Sequence, residues 1–449
     1  MSRRVVITGM GWVTPLGHDV DSVWARLIKG ESGVGPVSRF DARTFKTNFA
    51  AEVKGFNLAG FLRDTSSHAS TGPSTQFALA AAARAWTHAG LDAAREGGRF
   101  DGRRMGVYLG AGEGSLDFEN FVAANLTGWR PESRSVDAVA WAKAAYQRMS
   151  AVTEIEQEPN MTLAHVAGEF GCRGPAMNCM TACAASTQAI GEASEIIRHG
   201  DADLMFAGGA HSMIHALGMT GFIRLTAMST RRSEPTRASR PFDQSRDGFV
   251  MGEGAAIVVL EELEHALAPG AAPQAQLAGY GSSADAFRIT DIAPEHRGAQ
   301  AAMRHAMKQA GIDPATPGPG GRPPIQWFCA HGTGTQENDK LETAALKAVF
   351  GPLAPRVLVS SIKSMMGHLI QAAGAAGTIA CVQAIRTGLI PPTINYANPD
   401  PNCDLDYVPN TARDLRERTA GDGGVDACLN NSAGFGGQND TVCVRKYRA

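Results

Sequence analysis

The chain of 449 residues has no run approaching the roughly 20 apolar residues that a membrane-crossing helix needs. Its first apolar run, Val5-Val6-Ile7, is far too short for the core of a secretory signal. A cytoplasmic protein is the expectation. Net charge is also nearly absent, −2 by formal count, so no overall basic field marks a nucleic-acid binder. None of the eight cysteines forms a C-x-x-C pair, which argues against a zinc ribbon or a thioredoxin-like redox site. With no export signal the thiols are expected to stay reduced, most of them as small buried hydrophobes. A strand–GxGxxG–helix unit with a following acidic residue is missing, and so is GxxxxGK followed by Ser or Thr. No metal and no cofactor is expected.

What is present is an ordinary globular composition, 44% hydrophobic and 19% charged, with length enough for two or three domain-sized units. Short apolar runs alternate with longer helix-like segments, the pattern of an α/β fold. Strands are expected at Val5–Gly9, Met105–Gly110, Leu204–Gly208, Ala256–Leu260, Leu277–Tyr280, Trp327–Ala330, Val357–Ser360 and Thr441–Val444. Helices are expected at Ser74–His88, Ala185–Arg198, Arg297–Ala310 and Leu369–Arg386. Two connectors rich in Pro, Gly and Ala, Ala266–Gln276 and Asp313–Pro324, read as loops. The first divides the chain into halves 1–265 and 266–449. The halves echo one another: Cys183 and His368 each precede a helix-like segment of small and apolar residues, ending at Gly200 and Gly388. Such an echo hints at two copies of one α/β unit with their active corners facing.

Four stretches combine Gly, polar and reactive side chains as a site would. "MTACAAST" puts Cys183 among small residues at a helix start, where unpaired N–H groups and the helix dipole favour a thiolate. "AHGTGTQENDKLE" carries His331, Asp339 and Glu342, and "SSIKSMMGH" carries Lys363 and His368; both directly follow expected strands, where open α/β sheets place ligands. "NNSAGFGGQN" carries Phe435 in a glycine-rich turn. Each alone has a bland explanation, a capped turn or a flexible loop. Their joint occurrence in one order does not.

In that order the four stretches resemble the beta-ketoacyl-ACP synthases of the elongating, synthase II-like type, condensing enzymes of the thiolase superfamily. "VVITGMGWVTPLG", "STRRSEPTRASRPFDQSRDGFVMGEGA" and "IPPTINYANPDPNCDLDYVPN" extend the likeness over nearly the whole chain, with a gap at about Leu116–Pro159. The resemblance implies the thiolase fold, two pseudo-equivalent α/β halves in a five-layered α-β-α-β-α arrangement, as a homodimer. It implies a decarboxylative condensation of malonyl-ACP with an acyl group held as a thioester on Cys183, in fatty-acid or polyketide elongation. His331 and His368 would be the two site histidines and Lys363 the site lysine. Glu342 would be its ion-pair partner and Asp339 a supporting carboxylate. Phe435 would be the gate, its N–H and that of Cys183 forming the oxyanion hole. An acyl carrier protein is acidic, and Arg224, Arg231, Arg232 and Arg237 gather before "RPFD" as a candidate landing patch.

Three positions depart from the family pattern. Cys329 precedes Ala330-His331 where many members have Asn or Glu, and is read as packing. Ala433 stands where Phe is common. The segment Asn125–Asn160, with Trp129, Trp141 and Tyr146, replaces the region that lines the acyl pocket and dimer contact, and is expected to bound the pocket and carry the dimer. A degradative thiolase would want a second catalytic cysteine, for which Cys428 is the candidate. An initiating synthase would use Asn in place of the second histidine. A non-catalytic chain-length partner would usually lack the thiol of Cys183.

Overall fold

The computed structural model describes residues 3–97, 101–112, 117–268, 271–416 and 424–449. Residues 269 and 270 of the first connector, and Leu116 at the edge of the divergent segment, lie outside the described residues. The main strands are β1 (Val5–Val13), β2 (Met105–Gly110), β3 (Ala176–Cys179), β4 (Leu204–His211), β5 (Gly254–Glu262), β6 (Ala275–Ala284), β7 (Trp327–Cys329), β8 (Leu358–Ser360), β9 (Ala427–Gly434) and β10 (Gln438–Arg445). They lie side by side in the order β8-β7-β9-β10-β6-β1-β5-β4-β2-β3. The first five strands run β1-β5-β4-β2-β3 outward from the centre, and the last five run β6-β10-β9-β7-β8. One topology is therefore used twice. The two sets meet antiparallel through only two residue pairs, Val6 with Gln276 and Ile7 with Ala275.

The helices repeat in the same way. In chain order those that cover the sheet in this repeat are α1 (Pro73–His88), α2 (Met161–Phe170), α3 (Ala185–His199), α4 (Arg297–Gln309), α5 (Gln336–Phe350) and α6 (Ala373–Thr387). α1 packs on β1 and β5 with α2 beside it, and α4 packs on β6 and β10 with α5 beside it. α3 and α6 touch each other and strands of both sets, forming the middle layer. The arrangement is the five-layered thiolase fold. Continuous apolar strands suit it: β1 and β5 are buried at every position, as expected of strands covered on both faces.

Paired glycines mark the repeat in the sequence. A Cβ at Gly9 or Gly11 of β1 would lie 2.2 or 2.1 Å from the carbonyl oxygens of Ala85 and Ala81 in α1. One at Gly279 or Gly281 of β6 would lie 2.0 or 2.1 Å from those of Ala306 and Ala302 in α4. Only glycine lets helix and strand approach so closely.

Several boundaries differ from expectation. β3 and β9 were not anticipated as strands. The helix expected from Leu369 begins at Ala373, because Ile370 takes a left-handed φ of 44° and opens a 3₁₀ turn, Ile370–Ala372. Ala182, φ 47°, opens the matching turn Ala182–Ala184 before α3. Gln371, not His368, thus occupies the place of Cys183 in the second half. The echo between Cys183 and His368 is real in the helices and offset in the reactive residues.

The divergent segment forms a hairpin of helices Phe118–Gly128 and Ala138–Arg148, closed by a short ladder of Trp129–Arg130 with Ser135–Val136. It has a small core of its own, Ala124, Ala144 and Ala145 against Trp141, and exposes Leu126, Val139 and Tyr146.

Candidate active site

Cys183, His331 and His368 converge at the floor of a cavity of about 670 Å³. One ligand atom of each lies within 4.8 Å of the other two, and all three residues are buried. The histidine rings stand edge to face, centroids 5.5 Å apart. Cys183 arrives on the turn into α3, held by the left-handed backbone of Ala182. Such strain persists only where the surroundings enforce it. His331 leaves the end of β7. His368 is bracketed by the strand-like contact of Val250–Gly252, donating its N–H to Val250 O at 2.7 Å while its O accepts from Gly252 N at 2.9 Å.

Tautomer and charge are set by the neighbours. Ile370 donates its backbone N–H to Nδ1 of His368 at 3.1 Å, so the neutral ring carries its proton on Nε2. That nitrogen is buried with no partner among the described residues. Burial, followed by the positive charge of Lys363, holds the pKa of both His331 and His368 well below the ordinary imidazole value. Burial also lowers Lys363, opposed by the negative charge potential of Cys329, Glu342 and Cys183. Two neutral imidazoles beside a thiol are the result. Their ligand count would admit a metal ion, but the Ile370 amide occupies Nδ1 of His368 and keeps the proton on Nε2, the nitrogen a metal would need free.

The expected carboxylates sit behind this floor, in altered roles. Glu342 does not form a direct ion pair with Lys363. Its oxygens accept instead from His331 N (2.8 Å), Gly332 N (2.8 Å) and Asn431 Nδ2 (2.8 Å). Its charge reaches Lys363 through space only. Asp339 accepts from Phe242 N at 2.8 Å and Gly334 N at 3.2 Å, and faces Arg246 at 3.6 Å. Burial raises the pKa of both carboxyls.

Phe435 is partly exposed at the mouth, in the three-residue turn between β9 and β10. The turn is latched on its far side: Gly436 donates its N–H to Ile289 O at 2.7 Å, and Asp285 donates its N–H to Gly437 O at 2.8 Å. Gly434, just before it, lies so near Cys183 that a Cβ there would stand 3.4 Å from the Cys183 N.

Other expectations separate at this point. In the single chain no described residue of Asn125–Asn160 lines the cavity. Within one chain the hairpin therefore forms no part of the cavity wall. Cys329 and Cys428 are packed in the central core and do not line the cavity, which leaves no second thiol for a thiolase mechanism. Of the basic cluster, Arg231 is half-buried and donates to Ser245 O at 3.0 Å, Arg237 pairs with Glu234 at 3.1 Å, and Arg224 and Arg232 are exposed. Ile370, Asn431 and Arg246 were not given roles from the sequence. Only Asn431 lay in a stretch already marked by its composition.

Fold and floor together define a class, a thiolase-fold acyltransferase. The comparisons fix the family. Residues 2–266 match the beta-ketoacyl synthase N-terminal domain and residues 274–397 the beta-ketoacyl synthase C-terminal domain. A curated relative, 3-oxoacyl-[acyl-carrier-protein] synthase 2 of Coxiella burnetii, is 41% identical over 446 residues, covering 99% of each chain. Among solved structures, the ishigamide ketosynthase/chain length factor superposes with TM-score 0.84 at 33% identity over 100% of both chains. A type II polyketide ketosynthase in complex with its acyl carrier protein, bound to the hexaketide, does so at 0.83 and 31%, again over 100% of both. The chain belongs to the beta-ketoacyl synthase family. It is a condensing enzyme of fatty-acid or polyketide elongation.

Proposed function

We propose that Cys183 carries the acyl group while His331 and His368 stabilise the enolate of the malonyl unit. Thiolate attack on an acyl thioester forms acyl-Cys183 and releases the donor thiol, a good leaving group like Cys183 itself. The malonyl thioester then loses its carboxylate as CO₂, and the electron pair moves onto the thioester carbonyl as an enolate. Two Nε2–H donors would hold that oxygen, each worth about 2.7–4 kcal/mol in the transition state. The enolate carbon attacks acyl-Cys183, whose oxyanion meets the N–H groups of Cys183 and Phe435, and collapse expels the Cys183 thiolate. Lys363 acts through its charge, keeping both rings neutral. The single observation that carries this assignment is the Ile370 N–H on Nδ1 of His368, which commits that ring to donation. The cycle draws on no cofactor. Its test is the mass of acyl-Cys183 after mixing with a panel of acyl carriers; no adduct at Cys183 with any of them refutes it.

An acyl carrier protein is the proposed donor, by analogy with the ketosynthase solved with its carrier. Arg224, at the end of the helix Ala216–Arg224 beside the cavity-lining Leu225, and Arg232 are both exposed and remain the landing residues; Arg231 is held by its bond to Ser245 O. Reversing Arg224 and Arg232 to Glu should slow carrier-bound substrate more than a free thioester, and less so at high salt. A homodimer is proposed from the edge strand β3, whose outer side has no strand partner among the described residues and whose Met177 is 46% exposed, together with the apolar hairpin. A monomer in analytical ultracentrifugation removes this part. The halves 1–265 and 266–449 are proposed as the two thiolase-like units, supported by the repeated strand order. A cytoplasmic enzyme is proposed with them; no described helix is long and apolar enough to cross a membrane.

A further inference from the structure

One wall of the cavity carries a third imidazole that the condensation does not use. His296 is 0% exposed, lines the cavity, and neither ring nitrogen has a hydrogen-bond partner among the described residues. Its backbone is left-handed, φ 50°, as is that of Glu295 at 61°. Non-glycine residues hold such conformations only where the fold enforces them. The turn Pro294–His296 packs on α5, whose Asn338 lines the same cavity and is 5% exposed. Asn338 donates Nδ2 to Asp339 Oδ1 at 3.1 Å, which fixes its amide and leaves Oδ1 without a partner. A third residue with a buried atom lacking a partner among the described residues is His331, 4% exposed, through its Nδ1.

The hydrogen-bonding types of these atoms specify what fits between them. If His331 offers Nε2–H to the substrate oxygen, its Nδ1 is an acceptor. Asn338 Oδ1 is an acceptor as well. Neutral His296 supplies one N–H donor. Two acceptors and one donor cannot satisfy one another directly, whereas a molecule that donates twice and accepts once satisfies all three. Water does this, and buried waters bridge such groups.

We propose that His296 and Asn338 hold one ordered water against Nδ1 of His331, and that this water fixes the tautomer in which His331 donates through Nε2. The inference rests on the reading of His331 as a donor to the enolate. His368 receives the same service from a backbone amide, Ile370 N–H. His331 receives it from two side chains on neighbouring elements. His296 is then a positioning residue. Burial lowers its pKa to about 4, which keeps it neutral at working pH.

The test is a double-mutant cycle on malonyl-thioester decarboxylation, with kcat and KM separated. His296→Gly removes the donor but accepts the left-handed backbone; His296→Asn accepts that backbone and keeps an N–H. His296→Gly should lower kcat roughly 10-fold with KM unchanged, as losses behind a catalytic group do. His296→Asn should recover most of that loss. In the His331→Ala background, His296→Gly should have no further effect. The same factor lost in both backgrounds, or no rescue by Asn, overturns the proposal and makes His296 a packing residue. If His331→Ala alone leaves decarboxylation unchanged, His331 is not a donor. That outcome overturns the functional assignment and this inference together, and it is read from the single variant.

Discussion

Glu342 and His331 are joined through the backbone: one carboxylate oxygen accepts the N–H of His331 at 2.8 Å, the other that of Gly332 at 2.8 Å. The carboxylate therefore aims the histidine by holding the start of its loop, and needs no contact with the ring. Asn431 closes the arrangement from β9, donating to Glu342 and accepting from Thr441 Oγ1 at 2.8 Å.

Glu342→Gln should expose how much of the site depends on this clamp. Glutamine can accept only one of the two amides, and its NH₂ would face the other N–H. An unsatisfied buried donor costs about 1–3 kcal/mol. Thermal unfolding should move down accordingly, and kcat for decarboxylation should fall while iodoacetamide still alkylates Cys183. Unchanged stability and kcat would show that the loop holds His331 without the carboxylate.

A second expectation concerns pH. Burial, and after it the charge of Lys363, depresses both histidines, and protonating Nδ1 of His368 would set an N–H against the N–H of Ile370. Decarboxylation should thus stay level as pH falls through about 6.5, the unperturbed imidazole value, and decline only further down. In Lys363→Gln the rings regain part of their basicity, so the acid limb moves up toward that value. Stability follows the same sign. A histidine whose folded pKa is depressed leaves the unfolded chain binding more protons below about 6.5, so stability is lost as pH drops from there. The loss should be smaller in Lys363→Gln. An acid limb that stays in place on this substitution would sink the electrostatic role of Lys363.

Much of this was readable from the residues. β1, β2, β4 and β5 are continuous apolar runs, and the reactive stretches stand out by composition. β9 did not, because Asn430, Asn431 and Ser432 interrupt it with polar groups. The structure buries them by giving each a partner: Asn430 Nδ2 donates to Gly374 O at 2.6 Å, Asn431 to Glu342, and the Ser432 hydroxyl meets Thr187 Oγ1 at 2.7 Å. β3 is four residues long, lies at the sheet edge and has Met177 exposed, so neither apolar run nor alternation marked it. Ile370 hides its left-handed turn inside a helical pattern. The Lys363–Glu342 pair was expected from the family resemblance, and residue identities cannot show that backbone amides reach the carboxylate first.

Gly434→Ala tests the approach of the Phe435 turn to the nucleophile. The added Cβ would lie 2.6 Å from Thr181 O and 3.4 Å from Cys183 N, so the turn must retreat. Overpacking of this kind costs about 1–3 kcal/mol. Acyl-Cys183 formation should slow, since its oxyanion site is shared by these two segments, while decarboxylation should be less affected. Equal losses in both steps would place the damage in the whole floor.

The two half-reactions should come apart on mutation. Cys183→Ala removes the nucleophile and leaves a small apolar side chain in a collar of small residues, so acyl transfer and condensation should vanish. Malonyl decarboxylation needs no thiol; it should persist and release the acetyl thioester without a new carbon–carbon bond. His331→Ala or His368→Ala should do the reverse. The thiol still lies at the head of α3, so acylation should survive, while decarboxylation falls by roughly 10²–10³, the effect of losing one oxyanion donor. Radiolabelled CO₂ release measured beside acyl-enzyme mass for all three variants decides the matter. Complete loss of decarboxylation in Cys183→Ala, or failure of both histidine variants to acylate, would mean that thiol and rings share a proton. The cysteine would then belong to a base-assisted mechanism, and the Ile370 amide that fixes His368 as a donor would be acting against catalysis instead of for it.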